Sequence, residues 1–167
     1  MMTKNFPSLK EAFEEVCKEF DVSCAPAKME QLIGMWNKSW MLAKPYDEVL
    51  SELESLQKKY KLILVSNTDC FSIGQVLDKF QLRNYFTDIF LSCDVGMIKT
   101  DEKFLLDVLE KAGIDAKDCV VVGDSILSDM EAAKAVDIKA VLLDRKERQH
   151  FHPKIKNLKE LSPLLSE

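Results

Sequence analysis

Residues 119–129 read CVVVGDSILSD, an apolar run followed at once by a glycine, an aspartate and a serine. An apolar run of this length, bounded by a turn residue, predicts a buried strand, and the spacing after it predicts a helix from about 127 to 136. Other apolar runs, at 62–65, 89–92 and 140–143, are likewise separated by helical spacing. Continuous apolar strands that alternate with helices are typical of a parallel sheet covered on both faces, so the sequence predicts an α/β fold.

The chain in front of this pattern predicts helices only. A helix is expected from about 27 to 42, and another begins near Pro45, a residue that suits a first helical turn. We therefore divide the chain into a helical, cap-like segment and an α/β core, at 1–44 and 45–167. Trp36 and Trp40 are four residues apart and are expected in the core, with a ligand-facing wall as the alternative.

Composition and charge exclude several classes of protein. The chain has 167 residues, of which 47% are hydrophobic, so it suits one folded domain rather than a disordered segment. No apolar run approaches the roughly 20 residues of a membrane span, and the N-terminus has no signal-peptide core, so we expect a cytoplasmic protein with no membrane partner. A net charge of −5 argues against a nucleic-acid partner, and we interpret the basic stretch at 145–159 as a solvated surface.

The cysteines predict no disulfide framework. They are odd in number and no two have CxxC spacing: Cys17, Cys24, Cys70, Cys93 and Cys119. We expect reduced thiols, with Cys93 and Cys119 as small core residues. The two histidines, His150 and His152, lie near the C-terminus, which disfavours a Cys–His dyad or a histidine-rich zinc site.

Polar residues follow the predicted strands at the edge where parallel sheets bind ligands. They are Ser66 with Asn67, Lys99 in the next loop, and Asp124 with Asp129. Hydroxyl and amide groups bind anions, a lysine neutralises phosphate charge, and two carboxylates suit Mg²⁺, which prefers oxygen ligands. Together they predict a Mg²⁺ and phosphate site.

Each of these groups also has a simpler interpretation when it is taken alone. Ser66 and Asn67 could cap the following helix, and Asp124 and Ser125 could cap another. Lys99 could be a surface lysine, and Asp129 could face solvent. The order of the groups, each at or just beyond a strand end, weakens these alternatives.

Three of these stretches resemble motifs of the haloacid dehalogenase (HAD) superfamily. Residues 65–67, Val-Ser-Asn, resemble its motif II, and residues 96–101, Gly-Met-Ile-Lys-Thr-Asp, resemble its motif III. Residues 123–129, with the alanines that follow, resemble motif IV. The resemblance covers about residues 45–144 closely, and it implies a Rossmann-like, three-layer core with a parallel sheet and a helical cap.

The resemblance implies a Mg²⁺-dependent phosphatase acting on a small phosphorylated metabolite. Ser66 and Asn67 would bind the phosphoryl group, and Lys99 would orient that group and the nucleophile, which makes it the expected catalytic residue. Asp124 would coordinate Mg²⁺. Asp129 would complete the metal shell or pair with Lys99.

Two departures from the superfamily pattern are minor. Thr100 stands where motif III usually has proline, which relaxes the loop but spares the lysine. Asp137 stands where glycine commonly ends the motif IV helix. Aspartate tolerates the left-handed backbone better than most residues, so we expect Asp137 to adopt it at a modest cost.

The third departure removes the nucleophile. Superfamily members begin with a strand ending in Asp-X-Asp, and this chain contains no Asp-X-Asp. In the superfamily order 5-4-1-2-3, that strand is central. The gap can be filled in three ways: direct pairing of strands 2 and 4, a strand from a second copy in a homodimer or strand exchange, or the chain's own N-terminal segment. Alternatively, the chain is an N-terminally truncated form of a longer protein. We prefer truncation.

Three functions stay open at this stage. The first is a HAD phosphatase whose nucleophile lies outside this chain. The second is a non-catalytic HAD-like protein that binds phosphate or a protein partner. The third is a haloacid dehalogenase, which needs no metal and which the paired motif IV acids suit least.

Overall fold

A computed structural model describes residues 1–166 and has the predicted alternation of strands and helices. The helices are α1 Leu9–Glu19, α2 Pro26–Leu42, α3 Val49–Leu56, α4 Ser72–Lys79, α5 Ser92–Val95, α6 Glu102–Ala112, α7 Ala132–Ala135 and α8 Leu161–Leu164. The strands are β1 Ile63–Ser66, β2 Asp88–Leu91, β3 Val120–Gly123, β4 Lys139–Leu143 and β5 Lys154–Ile155. The prediction of an α/β fold is therefore confirmed.

All strand pairs are parallel, but they form two sheets. β1 pairs with β2, with Ser66 opposite Leu91. β3 pairs with β4, with Gly123 opposite Leu142, and β4 pairs with β5. Within residues 1–166, one edge of β1 and one edge of β3 are paired with no strand.

Two apolar clusters show that the sheets are halves of one layer. On one face, a cluster that includes Phe104 of α6 packs against Ile63 of β1 and Val121 of β3. On the other face, a cluster that includes Leu56 of α3 packs beside Val122 of β3. Because helices cover the two sheets together, the molecule has the three layers of the expected core.

The unpaired edges leave the middle of this layer partly open. All four residues of β1 are only partly buried, and Val120 of β3 is 38% exposed, whereas Leu142 of β4 is fully buried. The expectation that β1 and β3 pair directly is wrong, because they belong to separate sheets. Insertion of the N-terminal segment is also wrong, because residues 1–8 contain no strand.

Several element boundaries differ from the prediction. The third helix begins at Val49 rather than near Pro45. β5 was not predicted, because two residues are too short for an apolar pattern. The predicted motif IV helix starts as a π-helix, Ile126–Glu131, and ends with Asp137 at a φ of 56°, which confirms the left-handed backbone expected there.

The helical front contacts the core through α2 and α4. Trp36 Nε1 donates to Ser72 Oγ at 2.8 Å, and its ring meets Phe13 edge to face at 5.5 Å. Lys79 Nζ donates to the backbone oxygen of Met41 at 2.7 Å. The described helices are all too short or too polar to cross a membrane.

Candidate functional site

Hydrogen bonds bring the three predicted polar groups together at the carboxyl ends of β1 and β3. Asn67 Oδ1 accepts from the backbone N–H of Lys99 at 2.8 Å, which ties the loop after β1 to the loop after α5. Lys99 Nζ forms an ion pair with Oδ1 of Asp129. Ser66, the last residue of β1, is next to Asn67 and partly buried.

The ion pair between Lys99 and Asp129 is buried. The Lys99 side chain is 16% exposed and that of Asp129 is 4% exposed, so neither is the surface residue of the simpler interpretation. The second oxygen of Asp129 accepts from the backbone N–H of Ser125 at 3.0 Å. Of the two roles expected for Asp129, the structure therefore shows the pairing with Lys99.

Gly123 makes room for this carboxylate. A Cβ atom at position 123 would lie 2.3 Å from Cγ of Asp129, far inside van der Waals contact. The glycine of motif IV is therefore required by the close approach of a side chain six residues later. Its backbone also has to end β3 in register with Leu142.

Of the two helix caps offered as simpler interpretations, the structure contains one. Asp69, not Ser66 or Asn67, caps α4: its Oδ1 accepts from the backbone N–H groups of Phe71 and Ser72, both at 2.8 Å. Asp69 is 7% exposed and was not singled out from the sequence. Ser125 does cap the motif IV helix, because its Oγ accepts from the Ser128 N–H at 3.2 Å.

A turn after β4 supports the backbone of Asp124, and no local sequence pattern predicts it. Asp144 is buried and accepts from the backbone N–H groups of Gln149 and Arg148 and from Lys154 Nζ. The hydrogen bond from the Gln149 N–H has the largest effect and lowers the pKa of Asp144 below its ordinary value. Burial opposes this shift, and the bonds from Arg148 and Lys154 add to it. From this turn, Gln149 Nε2 donates to the backbone oxygen of Asp124 at 3.0 Å.

The same turn corrects the interpretation of residues 145–159 as a solvated surface. The Arg145 side chain is only 20% exposed; it pairs with Glu48 at 2.6 Å and lies over the Tyr46 ring at 3.7 Å. Burial alone would raise the pKa of Glu48, but the Arg145 bond and backbone N–H groups bring it below its ordinary value. Part of the basic stretch therefore anchors the turn to the start of α3.

The two aspartates predicted to hold Mg²⁺ differ in what they already bind. Both oxygens of Asp129 are engaged, whereas the Asp124 side chain is exposed. Mg²⁺ binds through one or two carboxylates and takes its other oxygens from water and phosphate. An exposed Asp124 fits that requirement, whereas Asp129 is already engaged by Lys99 and by the Ser125 N–H.

A cavity of about 340 Å³ lies between the helical front and the loop after β1. Its lining is mostly apolar and adjoins the candidate phosphate site: Met1, Met2, Val16, Trp36, Asn67, Thr68 and Asp69. Trp36 packs edge to face on Phe13 and lines this cavity. The expectation that Trp36 and Trp40 lie in the core is not confirmed, because both are only partly buried and neither belongs to the apolar clusters.

The expectation of five reduced cysteines is wrong for two of them. Cys70 and Cys93 are joined as a disulfide, 23 residues apart in sequence, while Cys17, Cys24 and Cys119 are free. Cys93 lies in α5 and not in a strand. Among the described residues, one cluster of three side chains has atoms close enough together to hold a metal ion, and it contains this pair: Cys70, Cys93 and Asp94.

Comparisons with known proteins bear on the family and the fold of this chain. The family model described as haloacid dehalogenase-like hydrolase matches residues 4–143. The phosphoglycolate phosphatase of Pseudomonas putida is 28% identical over 124 residues, which cover 74% of this chain and 45% of that protein. This chain spans less than half the length of the first curated phosphatases it matches.

Solved structures show the same fold. The HAD phosphatase from Thermococcus onnurineus is similar with a TM-score of 0.72 and 25% identity, covering 92% of this chain and 70% of that one. The HAD-hydrolase YfnB from Bacillus subtilis, bound to magnesium, has a TM-score of 0.76 at 20% identity, with coverages of 95% and 72%.

Proposed function

Because this chain belongs to the haloacid dehalogenase-like hydrolase family, we propose that it carries the phosphate-binding and metal-binding part of a Mg²⁺-dependent phosphatase. The observation that supports this most directly is the network of Asn67, Lys99 and Asp129, which joins the loop after β1, the loop after α5 and the helix after β3. The substrate proposed is a small phosphorylated metabolite. Curated relatives named as phosphatases of phosphoglycolate and glyceraldehyde 3-phosphate support this class.

Each residue has a proposed task. The Ser66 hydroxyl and the Asn67 amide donate to phosphoryl oxygens, and the Lys99 ammonium group neutralises phosphate charge. Asp129 keeps Lys99 extended, because the pair is buried and the lysine is held at one end. Asp124 binds Mg²⁺, which when bound would polarise a phosphoryl oxygen.

The nucleophile has to come from elsewhere, because no Asp-X-Asp occurs among the 167 residues. We propose that it belongs to an additional strand between β1 and β3, as part of a longer form of the protein. A second copy of this chain could complete the sheet but could not supply Asp-X-Asp. The residues Met1 and Met2 line the same cavity as Asn67.

Binding by the chain itself tests the first half of the proposal. Titration with inorganic phosphate and Mg²⁺ together, followed by thermal shift and calorimetry, is expected to give saturable binding. Lys99→Met is expected to weaken phosphate binding about 10- to 150-fold, since a charge-assisted hydrogen bond contributes about 1.5–3 kcal/mol. Asp124→Asn is expected to remove the Mg²⁺ dependence, and Asp118→Asn, at another exposed aspartate, is the matched control. Wild-type binding in both site variants would refute the assignment.

Turnover tests the second half. A longer form that contains an upstream Asp-X-Asp is expected to release phosphate from small phosphomonoesters, and the 167-residue chain is expected to release none. Asp124→Asn in the longer form is expected to abolish activity. A dehalogenase would keep its metal-independent activity in that variant.

A non-catalytic HAD-like protein is the second candidate, and the missing Asp-X-Asp favours it. It predicts phosphate binding without turnover in every form of the protein. Inactivity of a longer form with Ser66, Lys99 and Asp124 intact would replace the phosphatase by this candidate.

A further inference from the structure

Cys70 and Cys93 join two loops that meet at the candidate site. Cys70 lies in the loop that follows β1, and Cys93 lies in α5, which follows β2 directly. Their Cα atoms are 5.8 Å apart, within the range that a disulfide spans. No function described above uses this pair.

The two loops are held together without the disulfide. β1 and β2 pair along their full length up to Ser66 and Leu91. Beyond that, the fully buried Ser92 accepts from the Thr68 N–H at 2.9 Å and donates to the Thr68 oxygen at 3.1 Å. Because these contacts remain when the sulfurs separate, the bond can open and close in a folded protein.

The two sulfurs differ in their access to solvent. Cys70 is partly exposed, whereas Cys93 is 3% exposed. Cys70 Sγ lies 3.5 Å from Oδ1 of Asp94, which the reduced thiol can use as an acceptor. An accessible sulfur in contact with a buried one is the arrangement that thiol–disulfide exchange needs, with one sulfur meeting the external reagent and the other resolving the intermediate.

We propose that Cys70 and Cys93 form a thiol–disulfide exchange site for low-molecular-weight disulfides and thiols. The Cys70 thiolate attacks one sulfur of the reagent RSSR, and one RS⁻ leaves and takes up the proton that Cys70 lost. The Cys93 thiolate then attacks Cys70 Sγ and releases the second RS⁻, which takes up the proton of Cys93. The protein is oxidised by two electrons, and the reagent is reduced to two RSH.

The exchange acts on the candidate phosphate site, and this consequence rests on the proposed function. Cys70 is three residues from Asn67, whose side chain binds the backbone of Lys99. Cys93 lies between β2 and the loop that carries Lys99. The closed disulfide therefore limits the motion of both loops, and a preorganised site binds its ligand more tightly than a loose one.

The experiment uses the whole chain with Cys17, Cys24 and Cys119 changed to serine. It is equilibrated in glutathione buffers of graded redox poise and quenched by alkylation, and the fraction of disulfide is read from intact mass. A Cys70→Ser version of the same protein is the control that cannot close the bond. The near-native state of each form is checked by circular dichroism, and each series is repeated with a metal chelator.

Reversible, glutathione-dependent closure in a folded protein is expected. A pair that stays oxidised until the protein unfolds, or one that never forms, would overturn the proposal. A change in thiol reactivity that the chelator removes would also overturn it, in favour of a metal held by the reduced cluster with Asp94.

Binding of inorganic phosphate with Mg²⁺ then separates the two proposals. The oxidised form is expected to bind about three- to tenfold more tightly than the reduced form. Equal affinities would overturn the effect on the site. Binding by neither form would refute the proposed function and leave the exchange site to be decided by the mass measurement alone.

Discussion

Replacing Lys99 by methionine tests whether the Lys99–Asp129 pair is as buried as the structure indicates. Methionine keeps most of the aliphatic side chain and removes the charge. Asp129, which is 4% exposed, would keep one hydrogen bond, from the Ser125 N–H, and lose its cation. Breaking a buried ion pair from one side costs about 3–5 kcal/mol, because a charge is left in a poorly solvated place.

Substitution of Asp129 measures the same ion pair from its other side. Asp129→Asn keeps an acceptor for Ser125 and leaves the Lys99 ammonium group, whose side chain is 16% exposed and closer to water. We expect a smaller loss, about 1–3 kcal/mol. The double variant removes both charges, so its loss is expected to fall short of the sum of the single losses by about 0.5–3 kcal/mol.

Urea unfolding at pH 7, with the slope compared among the four proteins, measures these free energies. For a domain of this size, a loss of 3–5 kcal/mol corresponds to a Tm lower by about 6–20 °C. A loss below about 1 kcal/mol for Lys99→Met, the range of exposed ion pairs, would refute the burial of the pair. Strict additivity in the double variant would refute the contact itself.

Three further predictions concern stability. Gly123→Ala places a Cβ atom 2.3 Å from Asp129 and is expected to lower the free energy of unfolding by about 1–3 kcal/mol. Gly34→Ala, in open space on α2, is expected to raise it by about 0.5–1 kcal/mol. Equal urea midpoints for the two variants would contradict this. Asp137→Gly relieves a left-handed backbone at φ 56° and is expected to raise stability by about 0.5 kcal/mol; a lower Tm would count against it. The pKa of Asp144 is lowered on folding, so its contribution is complete above its unfolded pKa near 4 and is lost as the pH falls through the folded value. The difference in stability between wild type and Asp144→Asn should therefore shrink below about pH 4, and a constant difference would exclude the mechanism.

The elements that could be predicted from sequence are those with a local signal. The apolar runs of β1 to β4 and the turn residues that follow them indicate a parallel sheet and the edge that binds ligands. Ser66, Asn67, Lys99, Asp124 and Asp129 could be chosen because their residue types suit phosphate and Mg²⁺ and because they lie at or beyond strand ends.

The remaining features depend on contacts between distant segments. Asp144 acts through a turn that lies beyond motif IV, and nothing in its local sequence distinguishes it from a surface aspartate. The bond between Gln149 and the backbone of Asp124 spans 25 residues. Cys70 and Cys93 are 23 residues apart and match no known cysteine motif. The parallel pairing of β1 and β2 brings their sulfurs together, and this pairing cannot be read from the local sequence.

The open edges of β1 and β3 also determine where the domain opens first. In most α/β domains the central strands exchange their amide hydrogens slowest, because they lie deepest in the sheet. Here β4 lies between two neighbours and contains the fully buried Leu142, whereas β1 is partly exposed at every residue. Amide protection is therefore expected to rise from the middle of the sheet toward β4, the reverse of the usual order.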